Sequence, residues 1–193
     1  MGYRRTDLKT TPFVALAGTM LLAACQTFDP ASILPGGAPP PRTEAYRAHP
    51  DQPIAAAPIA IGPVNLARAD DPLVRAAVAA VGTELGALGY TPVADVGQAE
   101  LLGSVDMSTG TASELVANAP EGLRGTTTLP PMAPSTGLVV EIRRRSDGSL
   151  LWQGRAATFR PAPNGDPATL AGPLAHALFL GFPGQSGRTI RAP

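Results

Sequence analysis

Few side chains in this sequence have the chemistry of a reactive site, and the clearest of them is a lone cysteine. Cys25 is the only Cys in 193 residues. It ends the run Leu22-Ala23-Ala24-Cys25, which has the form of a bacterial lipobox. In that motif small residues fit the peptidase pocket, the thiol takes a diacylglyceryl group, and the amino group freed by cleavage is a site for a further acyl chain. Two or three chains anchor stably, since each buried CH₂ contributes ~0.8 kcal/mol. A single Cys excludes an internal disulfide framework and a zinc ribbon. Two histidines, His49 and His176, leave little material for a metal site or for a Ser-His or Cys-His catalytic set. Asp95, Glu100, Ser104, Asp106 and His176 fall in no spaced motif: there is no nucleophile elbow, no H-E-x-x-H and no phosphate loop. Glu100 and Asp106 share a strand face but stand ~20 Å apart, too far for a carboxylate pair. The chain therefore reads as non-enzymatic, with no cofactor and no metal implied.

Cationic candidates come next. Arg143, Arg144 and Arg145 are consecutive, but strand alternation splits them. Arg143 and Arg145 fall on an exposed face with Arg155 nearby on the returning strand, and Arg144 falls on the other face. Arg143, Arg145 and Arg155 are the candidate surface for an anionic ligand or a partner. The plainer reading is a solvated sheet face with cross-strand charge pairs to groups such as Glu141. Formal net charge is zero, which argues against nucleic acid as a partner, because phosphate contacts need surplus Lys or Arg.

The amino-terminal context supports the lipobox. Arg4, Arg5 and Lys9 form a positive region, and the apolar run Phe13 to Ala24 has 12 residues. That is short of the ~20 residues a spanning helix needs and suits a secretory leader. Residues 1–24 are thus expected to be a lipoprotein signal peptide. Its removal leaves 12 cationic and 14 anionic side chains, net −2. Gln26 follows the Cys where an Asp would favour inner-membrane retention, so the expected location is the outer membrane, facing the periplasm. Residues 25–55 carry Pro30, Pro35, Pro39, Pro40, Pro41, Pro50 and Pro53 without apolar periodicity and read as the lipidated Cys and a linker. Tyr46 and His49 fall in that stretch. A coil of this length reaches roughly 30 Å, and extended polyproline at most ~90 Å. Gly and Pro together supply 21 and 22 residues, and charged residues only 16%, so the remainder supports one small domain over 56–184.

Within that domain, Ile54 to Leu66 reads as a strand, edge-placed or bent by Pro58 and Pro63. Asp71 and Pro72 open a helix as N-cap and first residue. Val74, Ala77, Val78, Val81, Leu85 and Leu88 form its apolar stripe, and Gly89 ends it. Short strands follow at Tyr90 to Ala94 and Glu100 to Met107, with a turn at Val96-Gly97-Gln98 between them. Residues 108–136 read as a flexible insertion, with helical turns at Ser113 to Ala119. Gly137 to Arg145 and Ser149 to Phe159 alternate as a hairpin about Asp147-Gly148. Asp166 and Pro167 open a second helix with a stripe of Leu170, Leu174, Ala177, Leu178 and Gly181. Residues 185–193 read as a mobile tail. The expected fold is α+β: a small antiparallel or mixed sheet of about five strands, order β-α-β-β-β-β-α, with two helices on one face.

Several of these segments together resemble bacterial lipoproteins carrying domain of unknown function 4136. They are Glu84 to Tyr90 (ELGALGY), Ala99 to Leu102, the hairpin Leu138 to Gly154 with Leu151-Trp152-Gln153-Gly154, and Leu178 to Gly184 (LFLGFPG). The resemblance covers about residues 56–184. It implies an α+β sheet with helices on one face and an envelope location. It supplies no activity and no site residues. Two functions follow as expectations. One is an envelope adaptor or accessory factor with an envelope protein as partner. The other is a small-molecule or lipid-binding module.

Overall fold

Caps and tight turns divide the chain into alternating strands and helices. The computed structural model describes residues 41–49, 53–117, 134–159, 161–184 and 187–191. In chain order the elements are β1 (Arg42–Arg47), β2 (Pro58–Pro63), α1 (Pro72–Ala87), β3 (Thr91–Val93), β4 (Leu101–Thr111), α2 (Ala112–Ala117), β5 (Pro134–Arg144), β6 (Leu150–Thr158), α3 (Ala171–Phe179) and β7 (Gly187–Arg191). The expected leader, Cys25 and residues 26–40 lie outside the described residues.

The strands form one mixed sheet in the order β3-β2-β4-β5-β6-β1-β7. β2 runs parallel to β3 and β4. The other neighbours are antiparallel. α1 supplies the crossover from β2 to β3 that a parallel pair requires. The α+β architecture with α1 and α3 on one face is as expected. The strand number is not: the described residues give seven strands, not five.

The two extra strands fall where a linker and a tail were expected. β1 occupies residues 42–47 of the expected 25–55 linker, and β7 occupies 187–191 of the expected 185–193 tail. β1 adds to the free edge of β6, and β7 adds to β1. Backbone pairing across the sheet orders segments that have no apolar alternation of their own. The insertion expected over 108–136 shrinks from both ends. β4 runs on to Thr111 and β5 starts at Pro134, pairing Thr111 with Pro134. Glu114 accepts from the Thr111 N–H at 2.7 Å and fixes the start of α2. Residues 118–133 lie outside the described residues. β2 is shorter than expected and lies between β3 and β4, so among the described residues the sheet ends at β3 and β7.

The caps act as expected. Asp71 accepts from the Leu73 N–H at 2.9 Å, and Pro72 takes the first helical position. Gly89 reverses the chain at φ +90°, a conformation that costs glycine nothing because it has no Cβ. The buried stripe of α1 is Val74, Ala77, Val81 and Leu85. Leu88 is exposed instead, because it is the C-cap beyond the last packed turn. Asp166 caps a short 3-10 turn (Pro167–Leu170) that leads into α3, accepting from Ala168 N–H at 3.0 Å. The buried residues there are Leu170, Ala171, Leu174, Ala175, Leu178 and Phe179. Gly181 lies past the helix end in a positive-φ turn, so it is not part of the stripe.

The core lies between these helices and Ile59, Val105, Met107, Leu138, Val140, Ile142 and Trp152 of the sheet. Each large apolar side chain buried there contributes about 1.5–3 kcal/mol. α2 lies on the opposite face. A Cβ placed on Gly137 would stand 3.1 Å from Leu115 of α2, and Gly137 points away from the buried Leu138 beside it.

At the β5–β6 turn, Asp147 accepts from Ser149 N–H at 2.9 Å and pairs with Arg144 at 3.1 Å. The hydrogen bonds from Ser149, and then Arg144, pull the Asp147 carboxyl down from 3.8 to about 2. A carboxyl depressed in the folded state favours the ionised hairpin. Its contribution is complete above pH 3.8 and is lost as pH falls towards about 2. An NMR pH titration should therefore show the Ser149 amide moving in that window, and Asp147→Asn should abolish the movement.

Candidate functional site

Cys25 lies outside the described residues, so the structured candidates are the arginines, the acids and the cavities. The arginines do not form one surface. Arg143 sits half-exposed on the sheet face away from α1 and α3 and pairs with Glu141 two residues earlier, at 2.9 Å. Arg155, expected to be exposed beside it, is only 5% exposed. It forms an ion pair with Glu44 of β1 at 2.9 Å. The register explains the correction. Arg155 is opposite Glu44 on one side and Val139 on the other, so the strand missed in the sequence supplies its partner. Arg155 is a structural cation, not part of a docking surface.

The scattered acids are also assigned structural positions. Asp106 projects from β4 to Arg68 at 2.6 Å, and Arg68 holds Asp71 at 2.7 Å and the Met107 carbonyl at 3.0 Å. This network ties the start of α1 to the sheet. The Arg68 hydrogen bond, then the Leu73 N–H, hold the Asp71 carboxyl below its usual value. Asp95 caps a turn through Gly97 N–H at 2.8 Å. His176 Nδ1 lies 3.3 Å from Glu84 Oε1, joining α3 to α1 at the surface. Ser104 lies opposite Glu141 in the sheet. Among the described residues no group of three His, Cys, Asp or Glu could hold a metal.

Arg145 is different. Its backbone N–H donates to Glu100 O at 2.9 Å, which extends the β4–β5 ladder by one pair. Its side chain donates through Nε to the Ala99 carbonyl. Beside it opens a cleft of about 360 Å³, walled by Arg144, Arg145, Glu100 and His49 and floored by Ile54, Leu101 and Leu151. Leu101 and Leu151 are buried, and Ile54 is half-buried. The Tyr90 hydroxyl donates to Ile54 O at 2.9 Å and fixes the floor. Burial pushes the Tyr90 phenol up from its ordinary value. Sequence reading singled out Arg145 but missed the cleft, because it depends on residues 49, 53–57, 100–101 and 144–151 meeting at one end of the sheet.

The motifs that carry the family resemblance meet in the core. Trp152 lies over Gly154 of its own strand, stacks on Phe179 at 5.5 Å and meets Phe182 edge-on at 5.1 Å. Phe182 in turn meets Tyr90 at 6.0 Å. The Trp-x-Gly spacing, the final Phe-Leu-Gly-Phe and the Tyr after α1 thus form one aromatic cluster. Such pairs contribute about 0.5–1.5 kcal/mol beyond their buried area.

The described residues thus form an α+β domain with α1 and α3 on one sheet face and a small cleft at one end. No protein-family profile and no curated protein matches it. Solved structures resemble its fold at low identity. A PDZ domain protein from Parabacteroides distasonis is 13% identical with a TM-score of 0.45, over 79% of this chain. This chain spans 39% of that protein's length. The PelC dodecamer from Paraburkholderia phytofirmans is 13% identical at a TM-score of 0.40, over 70% of this chain and 94% of that one. A DUF4136 family protein from Bacteroides thetaiotaomicron is 15% identical at a TM-score of 0.42, over 70% and 92%. The last belongs to the family whose motifs the sequence resembles.

Proposed function

We propose that this chain is a lipid-anchored protein of the outer membrane, facing the periplasm, and that it acts as a non-enzymatic adaptor or accessory factor for envelope proteins. The observation that carries the reading is the lipobox Leu22 to Cys25 behind a charged region and a 12-residue apolar run. No helix among the described residues is long and apolar enough to cross a membrane. Attachment in this reading runs through Cys25.

The position of β1 refines how such an anchor would work. Sixteen residues, 26–41, separate Cys25 from the first strand. As extended polyproline, at ~3.1 Å per residue, they reach at most about 50 Å. That is well short of the ~90 Å implied by a linker running to residue 55. A shorter tether raises the local concentration of the domain near membrane-bound partners.

The test is in-cell photo-crosslinking from position 143, half-exposed on the sheet face away from α1 and α3, with the anchored chain and with Cys25→Ser. A discrete envelope-protein adduct that disappears in the Ser variant is the expected result. An adduct of equal yield without the anchor, or none from the anchored chain, would count against the adaptor reading. The cleft beside Arg145 favours a second activity, ligand binding.

A further inference from the structure

Three charged side chains line the cleft: Arg144, Arg145 and Glu100. Arg68, Arg143, Arg144 and Arg155 each hold a carboxylate within 3.1 Å. Arg145 and Glu100 stand opposite each other across the β4–β5 ladder, where facing Cβ atoms are ~4.5–5.5 Å apart. Yet among the described residues no ion pair joins them, and neither side chain has another charged partner. Arg145 is held in place by its Nε bond to the Ala99 carbonyl. The result is a fixed cation and a facing carboxylate at the mouth of a cleft with an apolar floor.

We propose that this cleft binds a free α-amino acid with an apolar side chain. An α-amino acid carries its carboxylate and ammonium on adjacent atoms, so it bridges a cation and an anion that face each other but do not meet. The carboxylate would take the guanidinium of Arg145, and the ammonium would take the carboxylate of Glu100. The side chain would lie on Leu101, Leu151 and Ile54. A volume of about 360 Å³ is at the lower end of the ~300–1,000 Å³ typical of small-molecule sites, which suits a ligand of this size. A simple anion would leave Glu100 repelling it, and a simple cation would leave Arg145 doing the same. The tethered floor, fixed through Tyr90 and Ile54, needs little ordering on binding. This site is independent of the anchor at Cys25.

The test is equilibrium dialysis of radiolabelled L-leucine against the purified full chain. The comparison ligands are 4-methylpentanoate, which lacks the ammonium, and 3-methylbutylamine, which lacks the carboxylate. The expected result is saturable L-leucine binding, with each analogue weaker by ~10-fold or more, because a charge-assisted hydrogen bond is lost. Arg145→Gln and Glu100→Gln should each weaken L-leucine by a similar factor. Both residues are exposed, and an unchanged urea midpoint will confirm that the variants fold. No saturable binding up to ~10 mM, beyond the range of even weak ligands, would overturn the proposal. So would 4-methylpentanoate binding as tightly as L-leucine, or L-leucine affinity untouched in both variants.

Discussion

A chain that starts at residue 56 will not hold this sheet together, whereas one that starts at residue 41 will. Residue 56 is where composition alone places the domain boundary, but β1 lies between β6 and β7. Cutting there removes six backbone pairs with β6 and leaves β7 with no neighbour. It also strips Glu44 from Arg155, whose side chain is 6% exposed. Taking away one partner of a buried ion pair costs about 3–5 kcal/mol, a large share of the ~5–15 kcal/mol that stabilises a typical domain. Urea unfolding followed by circular dichroism should show a cooperative transition for the chain from 41 and none for the chain from 56. In the full chain, Glu44→Ala should lower the midpoint by an amount equivalent to ~3–5 kcal/mol. The double change Glu44→Leu with Arg155→Met should recover part of it, since apolar replacement takes both charges out of the buried site. Equal stability of the two truncated chains would show that β1 is dispensable.

Trp152→Ala is expected to destabilise the domain by ~3–5 kcal/mol, the range for emptying a large aromatic site in a core. Trp152 is 1% exposed and holds Phe179 and Phe182 against the sheet. Its position depends on Gly154. A Cβ at 154 would lie 2.7 Å from Trp152 Cζ2 and 2.8 Å from Leu178 Cδ1, too close for either to remain. Gly154→Val should therefore cost at least the ~1–3 kcal/mol of overpacking. The two changes are coupled. Gly154→Ala should be milder in a Trp152→Leu background than in the native chain, and a double-mutant cycle in urea measures the difference. Additive effects would show that the indole does not rest on Gly154.

Local signals revealed the elements that local chemistry stabilises. Asp71-Pro72 and Asp166-Pro167 mark caps that the structure uses, and Asp147-Gly148 marks the turn it uses. The β5–β6 faces follow from alternation, with Trp152 and Ala156 buried towards the helices. β1 gave no such signal. Arg42–Arg47 reads RTEAYR, with Thr43, Ala45 and Arg47 on the helix side, and no apolar alternation separates it from the prolines around it. Its stability comes from backbone pairing and from an ion pair spanning 111 residues of sequence, which no local window contains. The same long-range pairing misplaced Arg155. Arg145 and Glu100 were visible as residue types, but not as a facing pair. Their opposition depends on the β4–β5 register, which is set by pairing between strands far apart in sequence.

The measurement that bears most directly on the proposed role is the intact mass and amino-terminal sequence of the protein extracted from fractionated membranes. The expected result is a chain beginning at Cys25, carrying a diacylglyceryl group and an additional acyl chain, and sedimenting with the outer membrane. A chain retaining residues 1–24 with a free Cys25 thiol, or a cleaved and unmodified chain in the soluble fraction, would contradict it.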